Sequence, residues 1–139
     1  MHPILRSVLA ILAGALVAFI LIAAIELLSG KLYPLHADAN RPEEMGKAMA
    51  RAPVGALLLV LLGWAVGTIS GAWTATRTAG RSPLIHGLAV GALLLCAALA
   101  NLLSFPHPVW FWIAAVALFL PCAYLGSTLA ARRGPAEAD

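Results

Sequence analysis

The chain has 139 residues, of which 62% are hydrophobic and only 11% charged, with a mean hydropathy of +0.93. Soluble domains are on average less than half apolar and about a quarter charged, and disordered segments lack apolar residues to bury, so composition excludes both. The length suits one compact domain or about four membrane spans, and the net charge of +3 follows from the loops of such a topology rather than from a nucleic-acid surface.

A bilayer core about 30 Å thick requires about 20 mostly apolar residues in a helix, and four stretches satisfy this. Ser7 to Ile25 and Ala52 to Thr76 are free of charge, Ser82 to Phe105 carries only His86, and Val109 to Ala131 holds nothing ionisable beyond Cys122 and Tyr124. The fold predicted is an all-α, four-helix transmembrane bundle in a single membrane domain, 1–139, with spans near 5–28, 53–76, 84–104 and 109–131. The first stretch exceeds the 7 to 15 residues of a signal-peptide core and is read as an uncleaved span.

Pro53 and Pro83 suit the first turns of the second and third spans, and Ser82 is a candidate N-cap. Pro106 and Pro108 break the chain between spans three and four, which predicts a tight antiparallel hairpin. Pro121 falls inside the fourth span, where a kink is expected.

Lys and Arg near span ends set orientation. The N-terminus, second loop and C-terminus carry Arg6, Arg77, Arg81, Arg132 and Arg133. The other side has Lys31, Arg41, Lys47 and Arg51, diluted by Asp38, Glu43 and Glu44. Both termini are therefore expected in the cytoplasm.

The outer loop, 29–52, is the one sizeable extramembrane segment. Its second half predicts a short interfacial helix. Asn40 or Arg41 would cap it, Pro42 opens it, and Glu43 and Glu44 sit in its positive first turn. Met45 and Met49 share one face, which would lie on the membrane surface or dock against the bundle mouth.

Spans associate through close packing, because lipid tails are as apolar as leucine. Gly63, Gly67, Gly71 and Ala75 place a small residue at every fourth position of span two. Gly87 and Gly91 do so in span three, and Ala10, Gly14 and Ala18 in span one. Intramolecular packing is the plainer use of such ridges, with a homo-oligomer interface or a glycine-lined pore as alternatives. Trp110 and Trp112 at the outer end of span four, and Trp73 at the inner end of span two, match interfacial belts. Trp64 lies mid-span, where its indole N–H needs a partner: a backbone carbonyl, the Thr68 hydroxyl, or a ligand cavity.

Glu26 is the one carboxylate within an apolar run, on the face of Phe19 and Ile22. Intramembrane ionisable groups are functional candidates by default, although Lys31 or Arg51 would equally pair with it. Topology gathers Glu26, His36, Asp38, Asn101 and His107 at the outer mouth, and these define a candidate polar site. Two histidines and two carboxylates are also divalent-metal ligand types, but no metal-binding spacing is present and none is assigned as a ligand. His86 is expected to face headgroups or the Arg77–Arg81 side. Cys96 and Cys122 differ too much in depth to bridge. No motif for a nucleotide, haem, flavin or other cofactor occurs, nor any for catalysis.

Glu26, Tyr33-Pro34, the Gly63-Gly67-Gly71 ridge with Trp64, and Pro106-His107-Pro108-Val109-Trp110-Phe111 together resemble a group of uncharacterised small bacterial four-span membrane proteins. The resemblance covers most of the chain and implies a bacterial inner membrane, with no activity, cofactor or site attached. The four-span eicosanoid and glutathione enzymes are of similar size, but their Arg- and Glu-bearing second helix is missing. The leading reading is a non-enzymatic binding or accessory bundle with a polar site at its outer face. Its expected partners are membrane lipid, a second copy or another membrane protein, and no nucleic acid. One rival is a small proton-coupled transporter or channel using Glu26. The other is a membrane metal protein or enzyme using His36, His107, Asp38 and Glu26.

Overall fold

The computed structural model describes residues 2–34, 36–38 and 40–132, so Arg133, counted above for orientation, lies outside them. Among the described residues there are five α-helices and no strand: α1 (Pro3–Leu32), α2 (Pro42–Ala50), α3 (Val54–Ala79), α4 (Pro83–Ser104) and α5 (Val109–Arg132). All but α2 are long and apolar enough to cross a membrane. Outward-facing Leu12, Leu16, Ile20, Leu27, Leu58 and Ile113 are each more than half exposed, as a lipid-facing surface requires.

The ends of the helices follow backbone chemistry. Helix α1 runs a further turn past residue 28, to Leu32, where the Tyr33 N–H closes on the Ser29 carbonyl at 2.8 Å. Pro53 precedes α3 rather than entering it. Gly80 ends that helix at φ 66°, a left-handed conformation open to a residue without Cβ.

Ser82 does not cap α4 with its side chain. Its backbone is also left-handed (φ 44°), whereas a capping hydroxyl needs an extended backbone to reach the following N–H groups. Its carbonyl instead accepts from the Ile85 N–H at 3.1 Å. Arg41, not Asn40, takes the N-cap position of α2 without a side-chain cap, because a guanidinium carries only donors. It bonds Glu44 at 2.8 Å instead.

Helix α3 touches all three other long helices, and α1 and α5 are the pair that do not meet. The most extensive contact is α1 on α3, where glycine removes the side chains that would hold the backbones apart. A methyl group on Gly14 would lie 2.5 Å from the Gly71 carbonyl oxygen, and one on Gly71 2.6 Å from that of Gly14. Gly67 faces the Ala18 carbonyl, at 2.9 Å for the same added atom. On the other side, a methyl on Gly91 would meet the Ala123 side chain at 2.5 Å, and Gly87 abuts Ser127 and Thr76. Gly126, not singled out by spacing, packs on the Ile69 carbonyl.

Polar groups lock the end that holds the termini. Arg6 Nε–H donates to the Thr78 carbonyl at 3.1 Å and its guanidinium covers Gly80. The expectation for His86 is corrected. It is 4% exposed, with Nε2 3.0 Å from Ser7 Oγ of α1 and Nδ1 3.1 Å from the Ser82 carbonyl. Its position on α4 turns it toward α1 rather than to Arg77, whose guanidinium lies 5.9 Å from the ring centre of Trp73. Interhelical hydrogen bonds inside membranes contribute about 0.6 kcal/mol, and up to about 1.7. His86→Ala should therefore lower unfolding free energy by roughly 0.5–2 kcal/mol, read by denaturation in mixed micelles.

Candidate functional site

The opposite end of the bundle is open. Trp64 is 5% exposed and wedged between two rings of α5, Phe111 at 5.6 Å and Phe119 at 5.5 Å between centroids. Both contacts are tilted, the geometry that aromatic quadrupoles favour. With the ring fixed, its Nε1–H points at α1 and donates to Glu26 Oε1 at 3.2 Å. Neither bland partner expected for the indole is used. The Thr68 hydroxyl instead donates to the Trp64 carbonyl of its own helix, at 2.6 Å. Glu26, for its part, forms this bond and, among the described residues, no ion pair with Lys31 or Arg51.

A cavity of about 270 Å³ lies on the loop side of this bond. Its polar wall is Glu26, Ser29, Tyr33, Asn101 and His107, and Leu57, Val60 and Phe111 supply much of the apolar wall. His107 stacks on Phe111 with centroids 5.0 Å apart and planes 12° from parallel. Its Nδ1 is 2.8 Å from the Phe105 carbonyl; a carbonyl only accepts, so Nδ1 carries a proton and donates there, which in a neutral ring leaves Nε2 as an acceptor. Pro106 and Pro108 fix the turn that permits this.

Helix α2 lies across the mouth. Met49 of α2 and Ala52 in the link to α3 line the cavity, and Gly46 sits beside Pro106. The helix reaches the mouth through Met49, while none of its residues is buried.

Of the five polar residues expected together, Glu26, Asn101 and His107 share the cavity and His36 and Asp38 do not. Asp38 turns the chain toward α2 by accepting from the Asn40 N–H at 2.9 Å. His36 borders a separate, shallower hollow with Glu44, Lys47 and Arg51. His36 and Asp38 both follow the end of α1, where helical spacing no longer fixes which way a side chain faces. Among the described residues, no three His, Cys, Asp or Glu side chains converge as metal ligands, so the proposed four-ligand set does not assemble. Cys96 and Cys122 are separate thiols.

Ser29 and Tyr33 also line the chamber, which the sequence reading does not anticipate. Ser29 is 6% exposed, with its hydroxyl 3.5 Å from the Ala56 carbonyl, and Tyr33 packs on Gly55. Their spacing from Glu26, i+3 and i+7, was the available signal: one face of α1.

Fold and cavity together define a four-span helical bundle with a polar-walled chamber at one mouth, Glu26 being its one carboxylate. No family model matches the chain, and no curated protein or solved structure shows significant similarity to it.

Proposed function

We propose that this is a non-enzymatic, multipass protein of the bacterial inner membrane that holds a small hydrogen-bond-donating guest in the chamber at its outer face. Both termini are cytoplasmic in this reading, supported by the arginines at the terminal end of the bundle. The observation that carries it is the bond from buried Trp64 to Glu26, which fixes a carboxylate at the wall of a ready-made cavity. Glu26, the Asn101 carbonyl and His107 Nε2 are acceptors, and among the described residues no Lys or Arg lines the space. That chemistry favours a donor, an ammonium above all. Toward the terminal end, the Gly14–Gly71 contact brings α1 and α3 together, which favours retention of a guest over its passage along the bundle.

The test uses a protein in which Trp64 is the sole tryptophan (Trp73→Phe, Trp110→Phe, Trp112→Phe), titrated with ethylammonium in nanodiscs. A saturable change in Trp64 emission is expected. A hydrogen bond to a charged group is typically worth about 1.5–3 kcal/mol, so Glu26→Gln should weaken binding roughly 10- to 100-fold. An emission that never saturates, or is indifferent to Glu26→Gln, overturns the reading.

A further inference from the structure

A second cavity, of about 180 Å³, meets the first at the Glu26–Trp64 bond. Its walls differ. Phe19 and Ile22 of α1 face Leu94 and Ala97 of α4, with Phe119 behind, and Glu26, Trp64 and Asn101 form its upper rim. Helices α1 and α4 share the least contact of any touching pair. What contact they have is at the terminal half, where Val90 packs near Gly14 and Ser7 meets His86. Toward the loop end they diverge, and the gap opens sideways: Phe19 is 47% exposed and Ala97 is exposed. In a bilayer that opening faces acyl chains.

We infer that the two cavities form one site for a membrane amphiphile, whose ammonium head sits against Glu26 and Asn101 and whose acyl chain lies in the crevice between α1 and α4. Charge and position choose this occupant. The rim carries the Glu26 carboxylate and lies six residues, about 9 Å along the axis, from the end of α1 at Leu32. The wall below it is wholly apolar. Neither cavity alone reaches the ~300–1,000 Å³ of small-molecule sites, but the two combined do. A water-soluble guest would leave the lower, lipid-facing half unused. The inference rests on the binding role proposed above and deepens it.

The experiment places the sole-Trp64 protein in vesicles of phosphatidylethanolamine and phosphatidylglycerol in equal amounts, with bromine on the acyl chains of one lipid or the other. Bromine quenches only at short range, so an occupied crevice is read as loss of Trp64 emission. Brominated phosphatidylethanolamine should quench more strongly than brominated phosphatidylglycerol, by about 1.5- to 5-fold, the range of a partly exposed ion pair. Ala97→Phe, which fills the crevice from the lipid side, should remove most of that quenching. Equal quenching by the two lipids, none by either, or quenching unaffected by Ala97→Phe overturns the inference. The lipid comparison needs no crevice variant, so it decides even where Ala97→Phe misfolds. Retained ethylammonium binding alongside a negative lipid result leaves the chamber's binding role standing; loss of both removes that role as well.

Discussion

Isoleucine in place of Gly71 is expected to separate α1 from α3 and cost about 3 kcal/mol or more, beyond the usual range for overpacked cores. A single added methyl would already stand 2.6 Å from the Gly14 carbonyl oxygen and 2.9 Å from the Ala18 side chain. The nearest obstruction is backbone, which cannot rotate away, and Gly14 is equally blocked by Gly71. The same substitution should be less severe at Gly67, where the closest atom is the flexible Ile22 side chain, though the Ala18 carbonyl still stands at 2.9 Å. It should be mildest at Gly63, whose nearest neighbour, Ile25, is at 3.2 Å. Gly30 has nothing within 4 Å of an added methyl, and Gly30→Ala should stabilise α1 by about 0.5–1 kcal/mol through helix propensity. Denaturation of the four variants in mixed micelles checks the order; equal losses at Gly71 and Gly63 would refute the packing argument.

Trp64→Ala is expected to cost about 3–5 kcal/mol, the range for emptying a buried aromatic site. It would delete the ring held between Phe111 and Phe119 and merge the two cavities beside it. Trp64→Phe keeps most of the volume and removes only the N–H, so its cost should be about 0.5–2 kcal/mol, that of one intramembrane hydrogen bond. The comparison separates support of the fold from orientation of Glu26. If Trp64→Phe proved as damaging as Trp64→Ala, the bond to Glu26 would be the main structural element; if it proved neutral, the carboxylate would be held by other means. Ethylammonium binding to Trp64→Phe, followed by calorimetry, should weaken, because Glu26 loses the donor that fixes its rotamer.

Much of this architecture was legible in advance. Long uncharged runs between Ser7 and Ala131 leave the backbone no option in lipid but helices, prolines at 42, 53, 83 and 108 mark where helices begin, and Pro106 follows the end of α4. Small residues at every fourth position named the faces that must approach closely. Glu26, Asn101 and His107 were identifiable because a polar residue near a span end is conspicuous against an apolar background. His36 and Asp38 were grouped with them by side of the membrane alone, and topology says nothing of lateral position within a loop. His86 was misjudged because its depth is close to an interface; only its rotation about α4, toward Ser7, shows that it is internal.

Hydrophobic length and punctuation are one-dimensional properties, and they alone determined four membrane-spanning helices, a short fifth helix and a lone acid below one mouth. The tertiary structure decided which helices touch, that Trp64 rather than a lysine or arginine answers Glu26, and that α1 and α4 part to leave a crevice. Those depend on helix rotation and crossing, which arise from contacts between residues dozens of positions apart, such as Gly14 with Gly71 and Glu26 with Trp64. Periodicity shows that a face exists; only packing selects its partner.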